Sequence, residues 1–236
     1  MKKENKAMPA LRAAFPHTVP IMAAFLFVGM TYGMMMRTEG FSAAYPMLMS
    51  ACIYAGSMEF VTVELLKMSF GLAQAFILTL MINARHLFYG VSMLEKYRGM
   101  GWKKPLLIFG LSDETFAVNY SAQIPETVDK GRFFLWVTLL NQFYWFAGAS
   151  LGALVGQFIP MNVEGLGFAM TAMFTAIFLD QWQREKDKTS AVLGLVLPLI
   201  FLVIFGAESF LIPSMIAILC ALLVLRGRLE KAGEDA

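Results

Sequence analysis

The 236-residue chain is predicted to be an all-α polytopic membrane protein, a single transmembrane domain over 1–236 with about six full spans and two broken or re-entrant segments. Three observations predict this. Composition is 58% hydrophobic and 15% charged, where soluble domains sit nearer half apolar and a quarter charged. The apolar excess falls into eight runs spread along the chain, which excludes a soluble domain on one anchor. Lysine and arginine cluster in short stretches between those runs. A net charge of +2 gives no reason to expect a nucleic-acid partner.

In chain order the runs are about 17–36, 42–66, 70–94, 105–121, 132–158, 165–182, 189–206 and 208–225. A span needs about 20 mostly apolar residues, and in lipid only helices satisfy their own backbone groups. The first run follows the basic start MKKENKAMPALR, and no small-residue cleavage site follows GMTYGMMMRTEG, so an uncleaved first span is expected. The second run carries Pro46 and the polar stretch YAGSMEF, which predicts interruption. The runs at 70–94, 105–121 and 132–158 are expected to cross fully. The run at 165–182 is short and polar at its end, FLDQWQREKDK, and is the second segment expected to enter and leave on one face. Cys52 and Cys220 lie in apolar runs, so buried thiols without a disulfide are expected. The eighteen methionines fit flexible apolar filling.

Charge sets the orientation. Basic clusters fall at Lys2, Lys3, Lys6 and Arg12, at Lys96, Arg98, Lys103 and Lys104, at Arg184, Lys186 and Lys188, and at Arg226, Arg228 and Lys231. Eight full crossings would put some of them outside, against the positive-inside rule. With 42–66 and 165–182 re-entrant, both termini and all four clusters are cytoplasmic, in a multi-pass cell-membrane protein. The order is compatible with an inverted repeat of 13–121 and 132–228, a design of secondary transporters in which broken helices meet near mid-membrane.

Three groups of polar residues fall inside the runs. In YAGSMEF, Gly56 and Ser57 allow a helix break whose free N–H groups suit a carboxylate, and Glu59 exceeds what packing requires. In LTLMINARHLFYG, Thr79, Asn83, His86 and Gly90 share one helical face, whereas Arg85 and Tyr89 form a separate i, i+4 pair. A regular helix therefore cannot aim Arg85 and His86 at one small ligand. Arg85 offers a fork for a carboxylate or for an ion pair; His86 offers a proton carrier or a packing hydrogen bond. In GLSDETFAVNYS, Asp113 and Glu114 sit near mid-segment, and one of them is the expected partner of Arg85. Glu164 and Glu208 fall at segment ends, where solvation is expected. No phosphate loop and no HExxH zinc motif occurs, no metal or other cofactor is implied, and no enzyme activity is expected.

YAGSMEF, NARHLFYG and LSDETFAV, in this order and at these separations, resemble the AzlC/YgaZ family of branched-chain amino acid exporters, as do AAFPHTVPIMAAFLFVGMTYG and GLGFAMTAMFTAIF. The resemblance implies a secondary transporter exporting hydrophobic amino acids together with a small AzlD-type membrane subunit. The family usually has glutamine where this chain has Glu59. A zwitterion with an apolar tail needs a carboxylate donor, an ammonium acceptor and an apolar pocket. Residues around Ser57 or Arg85 fit the first requirement, Asp113, Glu114 or Glu59 the second, with proton coupling expected through one of the titratable groups. The rival readings are a channel or facilitator for a small polar solute and an accessory membrane subunit.

Overall fold

The computed structural model describes residues 7–67, 71–158, 168, 171, 175, 178–179, 182–183, 188–206, 210, 213–214, 216–218 and 220–225. Regular structure among them is α-helical throughout. Contacts divide the chain into a unit of residues 1–170 and a unit of residues 171–236.

The first unit is organised by two long helices, α1 (Ala7–Thr38) and α8 (Lys130–Val155). Thr18 meets Tyr144, Phe25 meets Trp145, and added Cβ atoms at Gly152 and Gly156 would meet Met30 and Met34. The succession rises along both helices together, so they run parallel. Their seam is glycine-rich, with Gly29 and Gly33 of α1 against the backbone at Trp145, Ala149 and Ala153, and Gly148 and Gly152 of α8 against that at Phe25, Leu26 and Met30, the small-xxx-small spacing that lets backbones touch. A Cβ at Gly33 would stand 2.1 Å from the Ala149 carbonyl oxygen, and one at Gly152 2.0 Å from that of Met30.

Between them lie three interrupted segments. The first is α2 (Ala44–Cys52) and α3 (Gly56–Lys67), broken at residues 53–55, where Tyr54 takes φ +50°. Lys67 at the far end of α3 pairs with Glu39 at 2.8 Å, just beyond the end of α1, while Gln142 of α8 donates to the Ala51 carbonyl near the break. The pair is a hairpin that enters and leaves beside the C-terminal end of α1, as the interrupted reading of 42–66 anticipates.

The second segment, α4 (Leu72–Ile82) and α5 (Arg85–Met93), is broken at Asn83 and Ala84. α4 begins at Leu72, and Met93 at the end of α5 with Tyr97 just beyond it enters a core with Ala14, Phe133 and Phe134. This segment ends beside the N-terminal ends of α1 and α8.

The third, α6 (Lys103–Phe109) and α7 (Asp113–Ser121), is broken at residues 110–112 and corrects the expected topology. At its start Lys103 pairs with Asp129 at 3.3 Å, beside the first turn of α8. At its tip Gly110 packs on Thr138, roughly 12 Å further along α8 at 1.5 Å per residue. At its end Asn119 donates to the Tyr97 hydroxyl at 2.9 Å, and the Lys96 ammonium bonds the Tyr120 carbonyl. Both ends of 105–121 therefore lie with the N-terminal ends of α1 and α8. It is a second hairpin, its feet at the end of the α1–α8 pair opposite to those of the first, and not the single continuous helix expected of a full crossing.

The 70–94 run is likewise not a regular helix. The expected re-entrant segment 165–182 lies largely outside the described residues, as do Glu164, Glu208, Arg184, Lys186, the C-terminal basic cluster and Lys2, Lys3 and Lys6. Among the described residues only α1 is both long and apolar enough to cross a membrane as a single helix, so the count of six spans does not follow from helix lengths. In the second unit, α9 (Thr189–Phe205) matches the expected 189–206 run, carries Pro198 and has no buried residue. Cys52 and Cys220 are exposed free thiols, contrary to the expected burial; in a membrane protein an apolar run can face lipid instead of a core.

Candidate functional site

The two hairpin tips and the break in the crossing segment meet at one place, and Arg85 joins them. As the first residue of α5 it donates from Nε to Asp113 Oδ1 at 2.8 Å and from Nη2 to Ser57 Oγ at 3.1 Å. Asp113 opens α7 and Ser57 is the second residue of α3. Three helix N-termini, each a positive dipole end, thus converge on one junction. Ser112 accepts from the Thr115 N–H and caps α7. Asp113 and Glu114 in the first turn complement the dipoles. The expected partnership of Arg85 with Asp113 or Glu114 falls to Asp113, and both side chains keep about a third of their surface, 35% and 31%.

The face division expected for α5 holds across the break. Tyr89 stacks on Phe116 of α7 at 4.5 Å, on the Arg85 side. Asn83, His86 and Gly90 instead line a cavity of about 560 Å³ with Tyr54 and Ala55 from the first hairpin break. Its other walls are apolar, among them Leu80, Leu87, Val91, Ile108 and Phe109, and Lys104 stands at its rim. Thr79 is not on this wall; its carbonyl accepts from the Asn83 amide at 3.1 Å. His86 Nδ1 lies 3.2 Å from the Asn83 carbonyl, and its ring meets Tyr89 edge-on. Arg85, Asp113 and Glu114 do not line the cavity.

Glu59 stands apart from both. It is fully buried, and its Oε1 accepts from the Ala55 N–H and the Trp145 indole N–H, each at 3.1 Å; Oε2 lies 3.2 Å from the same indole. Trp145 packs over Gly56, where a Cβ would sit 3.3 Å from the ring. The fragment YAGSMEF thus divides its labour: Ser57 faces Arg85, Gly56 admits Trp145, and Glu59 ties the hairpin to α8.

Sequence reasoning passed over the α8 residues that hold the tips. Asn141 donates to the Thr115 hydroxyl at 3.0 Å, and Gln142 and Trp145 hold the other hairpin. Their signal was available: two adjacent amides in mid-run, though cheaper to bury than charges, still need hydrogen-bond partners in lipid. No group of three or more metal-binding side chains occurs among the described residues.

The family model described as AzlC protein matches residues 20–159. The chain is 54% identical over 232 residues to the branched-chain amino acid transport protein AzlC of Bacillus subtilis (strain 168), covering 98% of this chain and 91% of that one. The chain belongs to the AzlC family. Within it, an uncharacterized membrane protein of Haemophilus influenzae is 44% identical over 96% of this chain and 93% of its own length. The inner membrane protein YgaZ of Escherichia coli (strain K12) is 28% identical over 75% and 76%. No solved structure matches the chain. The AzlC family match spans both hairpins, the Arg85 junction and the cavity wall.

Proposed function

We propose that this chain is a secondary transporter that exports branched-chain and other hydrophobic amino acids, coupled to protons and working with a small AzlD-type membrane subunit. The observation that carries the reading is the largely apolar cavity lodged against two helix breaks. An aliphatic side chain fills the apolar wall, and the charged end of the amino acid meets Asn83 and His86. The name of the Bacillus subtilis relative supports the substrate class.

The geometry moves two roles. The Arg85 fork is already engaged with Asp113 and Ser57, so Arg85 is a positioning residue that locks the hairpin tips together. Of the ionisable side chains on the cavity wall, Tyr54, His86, Tyr97 and Lys104, the histidine is the residue type suited to exchanging a proton in the physiological range; Glu59 is tied to Trp145 off that wall. The charge rule supports cytoplasmic termini with six crossings. With 105–121 re-entrant it needs 165–182 to cross, and all four basic clusters remain inside.

The test is counterflow in proteoliposomes holding the chain with its small subunit. Labelled leucine should accumulate transiently against unlabelled leucine inside, and His86→Gln should keep exchange while losing pH-driven accumulation. Flux without saturation or counterflow would instead identify a channel.

A further inference from the structure

A second concavity lies at the end of the first unit that holds both hairpin feet of α6/α7. It has a volume of about 470 Å³ and lies between the N-terminal ends of α1, α6 and α8. Its walls combine two cations, Lys103 and Arg132, two indoles, Trp102 and Trp136, and the aliphatic Leu135 and Leu139. Nothing in the proposed transport cycle uses it. The one carboxylate there, Asp129, is shared: its oxygen accepts from the Arg132 backbone N–H at 2.7 Å and lies 3.3 Å from the Lys103 ammonium. Partial burial pushes the Asp129 carboxyl up, but that N–H and the Lys103 charge outweigh it and hold it below the ordinary carboxylate range. One anion facing Lys103 and Arg132, with Lys130 adjacent in sequence, leaves positive charge uncompensated.

From this we propose that the concavity is a binding site for an anionic phospholipid of the cytoplasmic leaflet. The phosphate sits between Lys103 and Arg132, Trp102 and Trp136 lie at headgroup level, and an acyl chain runs along Leu135 and Leu139. Each part has a physical reason. Basic pockets between helices on the cytoplasmic side attract anionic headgroups, and indoles favour the membrane–water boundary. Leu135 and Leu139 are one turn apart on α8 and continue the wall towards mid-membrane. A lipid wedged at the foot of α6/α7 would hold that hairpin against α8.

Native mass spectrometry and thermal melts of the protein, with its small subunit, in nanodiscs decide the matter. Wild type is expected to retain phosphatidylglycerol over phosphatidylcholine, and its melting temperature to rise with phosphatidylglycerol content. Lys103→Gln with Arg132→Gln should lower that retention about tenfold, whereas Arg98→Gln, an exposed cation outside the concavity, should not. Asp129→Asn keeps a helix-capping side chain and removes the competing charge, so retention should rise; this arm does not depend on a weakened fold. Equal retention of the two lipids, indifference to all these variants, or the same protection from inorganic phosphate in phosphatidylcholine discs would overturn the proposal. Because the readout is lipid retention, its failure is distinguishable from failure of the transport reading, which the counterflow assay tests.

Discussion

The α1–α8 pair and the three interrupted segments solve opposite problems with the same short list of residues. The pair is continuous for 32 and 26 residues and touches backbone to backbone through glycines. The segments between them stop and restart at mid-depth, each giving up hydrogen bonds that lipid cannot replace. What satisfies those ends comes from the chain itself: Ser112 caps α7, Glu59 accepts the Ala55 N–H, and Arg85 gathers the first turns of α3 and α7. Glycine inside a helix is thus a packing device in one region and part of a break in the other. A rigid frame makes the broken region affordable in free energy and leaves a cavity beside it.

The comparison predicts where substitutions hurt most. Gly33→Leu should be the most damaging, because the new side chain meets the Ala149 carbonyl and no side chain can yield. Overpacking ordinarily costs about 1–3 kcal/mol, and against backbone the cost should exceed that range, so folded protein should not accumulate. Gly194→Ala in α9, with nothing within 4 Å of its Cβ, should leave stability unchanged or raise it by up to ~1 kcal/mol through helix propensity. If both substitutions behave alike, the seam does not hold the frame.

In the broken region, Arg85→Ala should abolish counterflow and destabilise the protein by about 1–3 kcal/mol, below the cost of breaking a fully buried pair because both partners keep some exposure. Arg85→Lys should recover little, since a single ammonium does not replace a fork spanning Asp113 and Ser57. Melting temperature alongside transport separates the two losses.

Glu59→Gln should be milder still. Both N–H groups meet on Oε1, which an amide oxygen can replace, consistent with the glutamine usual at this position in the resemblance. Trp145→Phe, which removes one of those donors, should cost about 1 kcal/mol. Full loss of pH-driven accumulation in Glu59→Gln with normal exchange would return the coupling role to Glu59. Asp129→Ala should cost a similar amount, about 1 kcal/mol for the lost α8 cap. Because Asp129 is held below the ordinary range, its contribution is present above that range and fades as pH falls through its folded value.

Much of this was legible in the letters. Tyr54-Ala55-Gly56-Ser57 announces a break, and an arginine with two carboxylates on a nearby run announces an ion pair. The second hairpin was not, although Gly110 and the cap Ser112 were in plain view, because 105–121 is about as long as one short span and reads as continuous. The charge rule could not help, since making either 105–121 or 165–182 re-entrant puts the same lysines and arginines in the cytoplasm. The pairings of Lys103, at the start of α6, with Asp129 before α8 and of Asn119 with Tyr97 separate the alternatives. The break at Asn83 and Ala84 carries neither glycine nor proline, and the rotation that sends Arg85 to one partner and His86 to another is a tertiary fact.

The central claim is that two hairpins enter from opposite faces and meet at Arg85. Cysteine accessibility tests it most directly, in protein whose Cys52 and Cys220 have been replaced by serine. Single cysteines at Glu126 and at Gly40 are labelled with an impermeant reagent in intact cells and in inverted vesicles. The account predicts that position 40 labels only in cells and position 126 only in inverted vesicles, together with position 98. Labelling of 40 and 126 from the same side would contradict it.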